Sequence, residues 1–165
     1  MEVIFPKTRG RLVLQRALLA FAPVVIAAAL GNAATIPSLP VWYAGLAKPP
    51  LNPPNWIFGP VWTALYLAMA YALYRILSTP PSKARRWAIL AFAGQLALNM
   101  CWSFAFFGAQ NPKLGLVVVV AMEAAIIATV FLFGRLDKTA ARLLWPYAAW
   151  VGFASYLNAG IWWLN

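Results

Sequence analysis

Five apolar stretches, each near the roughly twenty residues that a helix needs to cross a bilayer, succeed one another along this chain with short polar breaks between them. They cover about 12–34, 54–77, 85–107, 113–134 and 140–164. At about 1.5 Å of rise per residue, each matches the hydrocarbon thickness of a membrane. Of the 165 residues 64% are apolar, and mean hydropathy is +0.74. Soluble domains stay near about half apolar, which excludes that class. The predicted fold is all-α, an integral membrane bundle of five transmembrane helices forming one domain over residues 1–165. A polar, basic start at residues 1–11 precedes the first run, which exceeds the roughly 7 to 15 apolar residues of a secretory signal and so reads as a spanning helix.

Charge supplies the orientation. Lys7, Arg9, Arg11 and Arg16 flank the first run, and the first connection carries only Lys48. Arg75, Lys83, Arg85 and Arg86 gather at the second, Lys113 at the third, and Arg135, Lys138 and Arg142 at the fourth. The alternation places eleven cations on one side and two on the other, so the positive-inside rule predicts a cytoplasmic N-terminus and a C-terminus on the opposite side. The net charge of +10 is thereby a signal of topology rather than of nucleic-acid binding. One cysteine, Cys101, forbids an intrachain disulfide, and the lack of histidine removes the commonest metal ligand and general base together. No metal site and no required cofactor are predicted.

Six of the thirteen prolines fall between Pro37 and Pro54. Proline fixes φ and donates no hydrogen bond, so this connection is predicted to be a stiff, extended extramembrane loop ending at a helix start near Pro54. Phe58, Trp62 and Tyr66 then recur every four residues, on one helical face. The third run carries Gln95, Asn99 and Ser103 at the same spacing, with Trp102 and Phe106 nearby, and the fifth aligns Tyr147, Trp150, Ala154, Asn158 and Trp162. Trp42, Trp56, Trp87, Trp145, Trp162 and Trp163 lie near run ends, where indoles anchor at the headgroups.

Trp62 lies about 12 Å below the outer end of its helix, with Asn99 and the stretch from Trp150 to Asn158 at a similar level. Two readings stand open on spacing alone: a roofed apolar pocket with a few polar groups, or helix glue made of packing and interhelical hydrogen bonds. Glu123, at mid-span in the fourth run, reads either as a functional acid or as a protonated carboxyl bonded across an interface. Ala93 with Ala97, Ala121 with Ala125 and Ala124 with Ala128 are small pairs compatible with a homodimer.

The segments WYAGLAKPPLNPPNWIFGPVWTALY from Trp42, GQLALNMCWSFAFFG from Gly94 and ARLLWPYAAWVGFASYLN from Ala141 resemble the signatures of the TspO/MBR family, in order and at family spacing. The resemblance implies a five-helix bundle, often dimeric, that binds porphyrins such as protoporphyrin IX or haem and, in some members, sterols and benzodiazepine-type ligands. It makes Trp62, Tyr66, Asn99 and Trp150 pocket residues, Ala154 a small residue shaping access, Tyr43 a loop tyrosine beside the ligand, and Trp42, Lys48 and Pro49 the lid. Gln95, Trp102 and Asn158 join the ligand-binding set from the polar and aromatic faces above. Pro50 and Leu51 stand where many members have a second lid aromatic. After Asn158 the chain also lacks the Tyr and Arg of the animal sterol pattern, which argues against specific cholesterol binding.

Two functions follow. One is a membrane receptor or transport protein for tetrapyrroles and similar flat hydrophobic molecules, acting in tetrapyrrole handling or stress signalling. The other, also implied by the resemblance, is an enzyme degrading porphyrin with light and oxygen through Trp62 and Trp150. The predicted pocket holds no nucleophile and base in partnership, so any reaction there would be photochemical or radical. A secondary transporter would call for internal repeats and broken helices that this sequence lacks.

Overall fold

The structure, a computed structural model, describes residues 7–165, with side chains from residue 10 onward. The charge reading at Lys7 and Arg9, and the polar start before them, lie outside the described side chains. Five helices follow one another: α1 (Lys7–Thr35), α2 (Asn55–Ser78), α3 (Lys83–Ser103), α4 (Pro112–Gly134) and α5 (Lys138–Leu164). Those from α1 to α4 are long and apolar enough to cross a membrane. At 27 residues α5 also has the length, and it carries four tryptophans, two tyrosines and a basic first turn.

Local chemistry sets the starts of α2 to α5. Ser82 accepts from the N–H of Arg85 at 3.1 Å, Asn111 from that of Leu114 at 3.0 Å, and Asp137 from those of Thr139 and Ala140 at 2.8 and 3.0 Å. Each cap satisfies donors that a first helical turn leaves free. Pro54, extended at ψ 141°, starts α2 at the next residue.

The first connection departs from the sequence expectation. Helical backbone continues beyond Thr35 through a 3-10 turn (Ile36–Ser38) and a π-type turn (Leu39–Tyr43), so the extended loop begins only near Leu46. Pro37 and Pro40 each fall near the start of one of these turns, where a missing N–H costs little. α3 likewise ends in a π-type turn (Phe104–Gly108).

One apolar core runs through all five helices. On α4 it takes Val119, Met122, Ile126, Val130 and Phe133, a face of helical spacing, and it meets Leu144, Tyr147 and Val151 of α5 and Phe92 of α3. Phe92 and Phe133 stack with centroids 5.8 Å apart. A second, smaller cluster of Tyr43, Phe106, Phe107 and Ile161 sits under the loop. Trp87, Trp145 and Trp163 are exposed near helix ends, as anchors are. Trp42 is instead packed edge-on against Phe106 and Phe107, because the overrun of α1 carries it into the second cluster.

Candidate functional site

Between the two clusters the bundle is hollow. A cavity of about 620 Å³ lies at the loop-bearing end, walled by α1, α2, α3 and α5 and closed above by the turns that follow α1. Its aromatic wall is a set of near-parallel rings. Trp62 and Trp102 lie 6.4 Å apart with planes 28° from parallel, and Trp102 and Phe106 lie 5.6 Å apart at 24°. Tyr66 continues the row beside Trp62 at 5.5 Å and 31°. Offset faces of this kind suit a flat aromatic guest, since each ring offers a π surface without demanding a partner of its own.

Two amides set the polar geometry. The Tyr66 hydroxyl donates to Oδ1 of Asn99 at 2.9 Å, and Nδ2 of Asn99 donates to the Tyr147 hydroxyl at 3.2 Å. The chain continues from Tyr147 toward Sδ of Met122 at 3.7 Å. Near the roof, Nε1 of Trp102 donates to Oδ1 of Asn158 at 3.1 Å, while Nδ2 of Asn158 holds the carbonyl of Pro112 at 2.6 Å. Asn99 and Asn158 are 2% exposed, so losing one bond would strand its partner in an apolar interior. Asn158 therefore orients an indole and pins the start of α4 together.

The loop is fastened at several points to α5 and to its own preceding turn. Pro49 packs so closely on Gly160 that a Cβ there would lie 2.5 Å from that of Pro49. The Tyr156 hydroxyl donates to the carbonyl of Pro50 at 2.8 Å, and Asn165 exchanges two 3.0 Å hydrogen bonds with the backbone of Ala47. Lys48 turns back to donate to the carbonyls of Tyr43 and Leu46 at 2.8 and 3.1 Å, its ammonium 4.7 Å from the Tyr43 ring centre. A cation here satisfies carbonyls left free at a helical C-terminus. Leu51, at φ 70°, occupies the turn closed by the bond from Asn52 N–H to the Pro49 carbonyl.

Of the sequence-predicted residues, Tyr43, Trp62, Tyr66, Asn99, Trp102, Ala154 and Asn158 line the cavity. Trp150 does not. Phe58 stands between, edge-on to its ring at 5.8 Å, and Nε1 of Trp150 has no partner among the described residues. Gln95 is also set apart: Asn99 is the deepest α3 residue of the lining, and Gln95 lies one turn farther into the bundle, 1% exposed, with both amide atoms unpartnered among the described residues. Trp42, Lys48 and Pro49 brace the roof from behind rather than facing the space. Oε2 of Glu123 is buried without a partner among the described residues, and Glu123 does not line the cavity.

The helix unforeseen from the sequence as part of the lining is α1, where Phe21, Val24, Val25, Ala28 and Gly31 form a wall. A uniformly apolar helix gives no periodic signal to tell a cavity face from a lipid face. Val25 and Leu67 line the space while remaining 61% and 57% exposed, so the cavity reaches the outer surface of the bundle in the seam between α1 and α2.

Fold and cavity together define an integral membrane protein built as a helical bundle around an internal aromatic pocket. The TspO/MBR family model matches residues 19–164, and the chain belongs to that family. It is 46% identical over 125 residues to the tryptophan-rich protein TspO of Chlorobaculum tepidum, covering 75% of this chain and 79% of that protein. Identity to the human translocator protein is 40% over 123 residues, 73% of each chain. With the tryptophan-rich sensory protein of Cereibacter sphaeroides it shares 38% over 117 residues, 71% of this chain and 72% of that one.

Proposed function

We propose that this protein binds porphyrins and related flat hydrophobic molecules in the aromatic cavity, as a receptor or carrier in tetrapyrrole handling or stress signalling. The observation that carries the reading is the row Tyr66, Trp62, Trp102 and Phe106, whose faces border a space of about 620 Å³, within the roughly 300–1,000 Å³ of small-molecule sites. Tyr66 and Asn99 set the polar contact at its base. No lysine or arginine among the described residues lines the space, so a porphyrin would insert its macrocycle and leave its propionates toward the mouth. The seam between α1 and α2 supplies a path from the bilayer, where such ligands partition. Five membrane spans in one domain, an N-terminus facing the cytoplasm and a homodimer belong to the same proposal. Cholesterol does not.

The enzymatic alternative, porphyrin breakdown with light and oxygen, rests on Trp62. Its other indole, Trp150, stands behind Phe58. Titrating the detergent-purified protein with protoporphyrin IX, in darkness and under light, tests both. Binding in the cavity requires weaker quenching of tryptophan emission in Trp62→Phe and Asn99→Ala, with Trp150→Phe close to wild type. Equal affinity in all variants rejects the site. Loss of porphyrin absorbance only in the illuminated wild type moves the reading to the enzyme.

A further inference from the structure

At the end of the bundle opposite the loop, a second cleft of about 460 Å³ lies between α1 and α2. Its polar floor is Arg75, whose Nε and Nη2 both hold Oδ2 of Asp137, at 2.9 and 2.8 Å. Arg16 closes the other side from α1, and Tyr71 and Tyr74, stacked 6.3 Å apart at 13°, form the α2 wall with Ser78 beyond them. The Arg75 guanidinium carbon lies 6.0 Å from the Tyr71 ring centre. Leu12 and Val13, exposed on α1, line the outer edge.

Charge decides what fits. Among the described residues Asp137 is the one carboxylate of the cleft, and Arg75 already neutralises it. Arg16 then leaves a surplus of one positive charge. The Ser78 and Thr79 hydroxyls give their protons to the carbonyls of Tyr74 and Ile76, so the donors left for a guest are the guanidiniums and the two phenols. A site with one net cation, several N–H and O–H donors, and apolar residues on its membrane-facing edge matches a singly charged phosphodiester joined to acyl chains. Basic clefts between transmembrane helices hold such headgroups.

We propose that this cleft is a specific site for an anionic phospholipid, with Arg16 as the principal contact to the headgroup phosphate. The acyl chains then lie along the exposed apolar face of α1, which bears Leu12, Val13, Leu18 and Leu19. Bulk attraction is a separate effect, shared by every cation at this end, including the exposed Arg86 outside the cleft.

The test is native mass spectrometry of the detergent-solubilised full chain titrated with phosphatidylglycerol or phosphatidylcholine, in wild type, Arg16→Ala, Arg16→Lys and Arg86→Ala. Wild type and Arg86→Ala should retain phosphatidylglycerol in preference to phosphatidylcholine. Arg16→Ala should lose that preference by roughly tenfold, the weight of one charge-assisted hydrogen bond, with partial recovery in Arg16→Lys. Circular dichroism establishes that each variant is folded, and Arg16→Gln replaces Arg16→Ala should the latter not fold. No headgroup preference in the wild type, or equal losses in the Arg16→Ala and Arg86→Ala proteins, overturns the proposal. Displacement of the lipid by millimolar inorganic phosphate also overturns it, assigning the cleft to a soluble anion.

Discussion

The two ends of this bundle are built by different means. At the loop-bearing end, aromatic rings surround empty space, and the elements are joined by the few bonds that Asn99, Asn158, Tyr156 and Asn165 make. At the other end the core is filled by Phe92, Phe133, Ile76 and Leu144, side-chain caps start α3 and α5, and an ion pair ties α2 to the α4–α5 turn. Arg85 adds a 2.6 Å bond to the Thr79 carbonyl. Packing at interior density resists deformation, whereas a cavity forgoes contacts that a guest can supply. The contrast teaches that the hollow end depends on a few directional bonds, each with large consequences, and the filled end on many small ones.

The contrast breaks first at Asn99. Asn99→Leu strands the Tyr66 hydroxyl and leaves that of Tyr147 only the weak sulfur acceptor of Met122, and should cost about 1–3 kcal/mol, read as a fall in thermal midpoint in detergent. If the midpoint holds, the amide network is dispensable. Gly160→Val comes next, because its side chain needs the place of Pro49. Detaching the loop should cost roughly 1–3 kcal/mol and raise hydrogen exchange over residues 46–52, with little change at the far end of α2. Uniform exchange along the chain would show that the ends are not independent.

A smaller effect sharpens the site itself. Trp62→Ala should weaken protoporphyrin IX binding by about tenfold, the worth of one aromatic contact of roughly 1–1.5 kcal/mol, while Trp150→Ala leaves it unchanged. The reverse order would place the ligand on the far side of Phe58.

The smallest effect belongs to the charged end. Partial desolvation pushes the Asp137 carboxyl up, but its hydrogen bond and ion pair with Arg75, together with the N–H groups of Ala140 and Thr139, outweigh this and hold it below the ordinary value of 3.8. A carboxyl depressed in the folded state contributes stability above its unfolded value, and that contribution disappears as pH falls through the lower folded value. Solvent screening keeps it slight. Acid unfolding of Asp137→Asn should therefore be less steep at low pH than that of the wild type, and identical slopes would remove the ion pair from the account.

Much of the bundle was legible because its signals are local. Apolar length specifies helices in lipid, where every backbone group must bond internally, whereas the caps at Ser82, Asn111 and Asp137 that set the exact starts emerged only from the structure. The site was legible where polar residues stood out from an apolar background, as with Asn99 and Asn158. It was not legible on α1, whose cavity face and lipid face are chemically alike, nor at Pro37 and Pro40, where a 3-10 turn and a π-type turn kept the backbone helical.

Trp62 and Trp150 mark the division between what sequence and structure each determined. By itself the sequence determined membership of a helical membrane class, the family signature and the aromatic character of two faces, since length, hydropathy and residue spacing are properties of the linear chain. Only the tertiary structure decided that Trp62 faces the hollow and Trp150 does not, that Lys48 serves the backbone, and that α1 completes the wall. Those outcomes depend on how helices rotate and lean against one another, and that is set by packing between residues far apart in the chain.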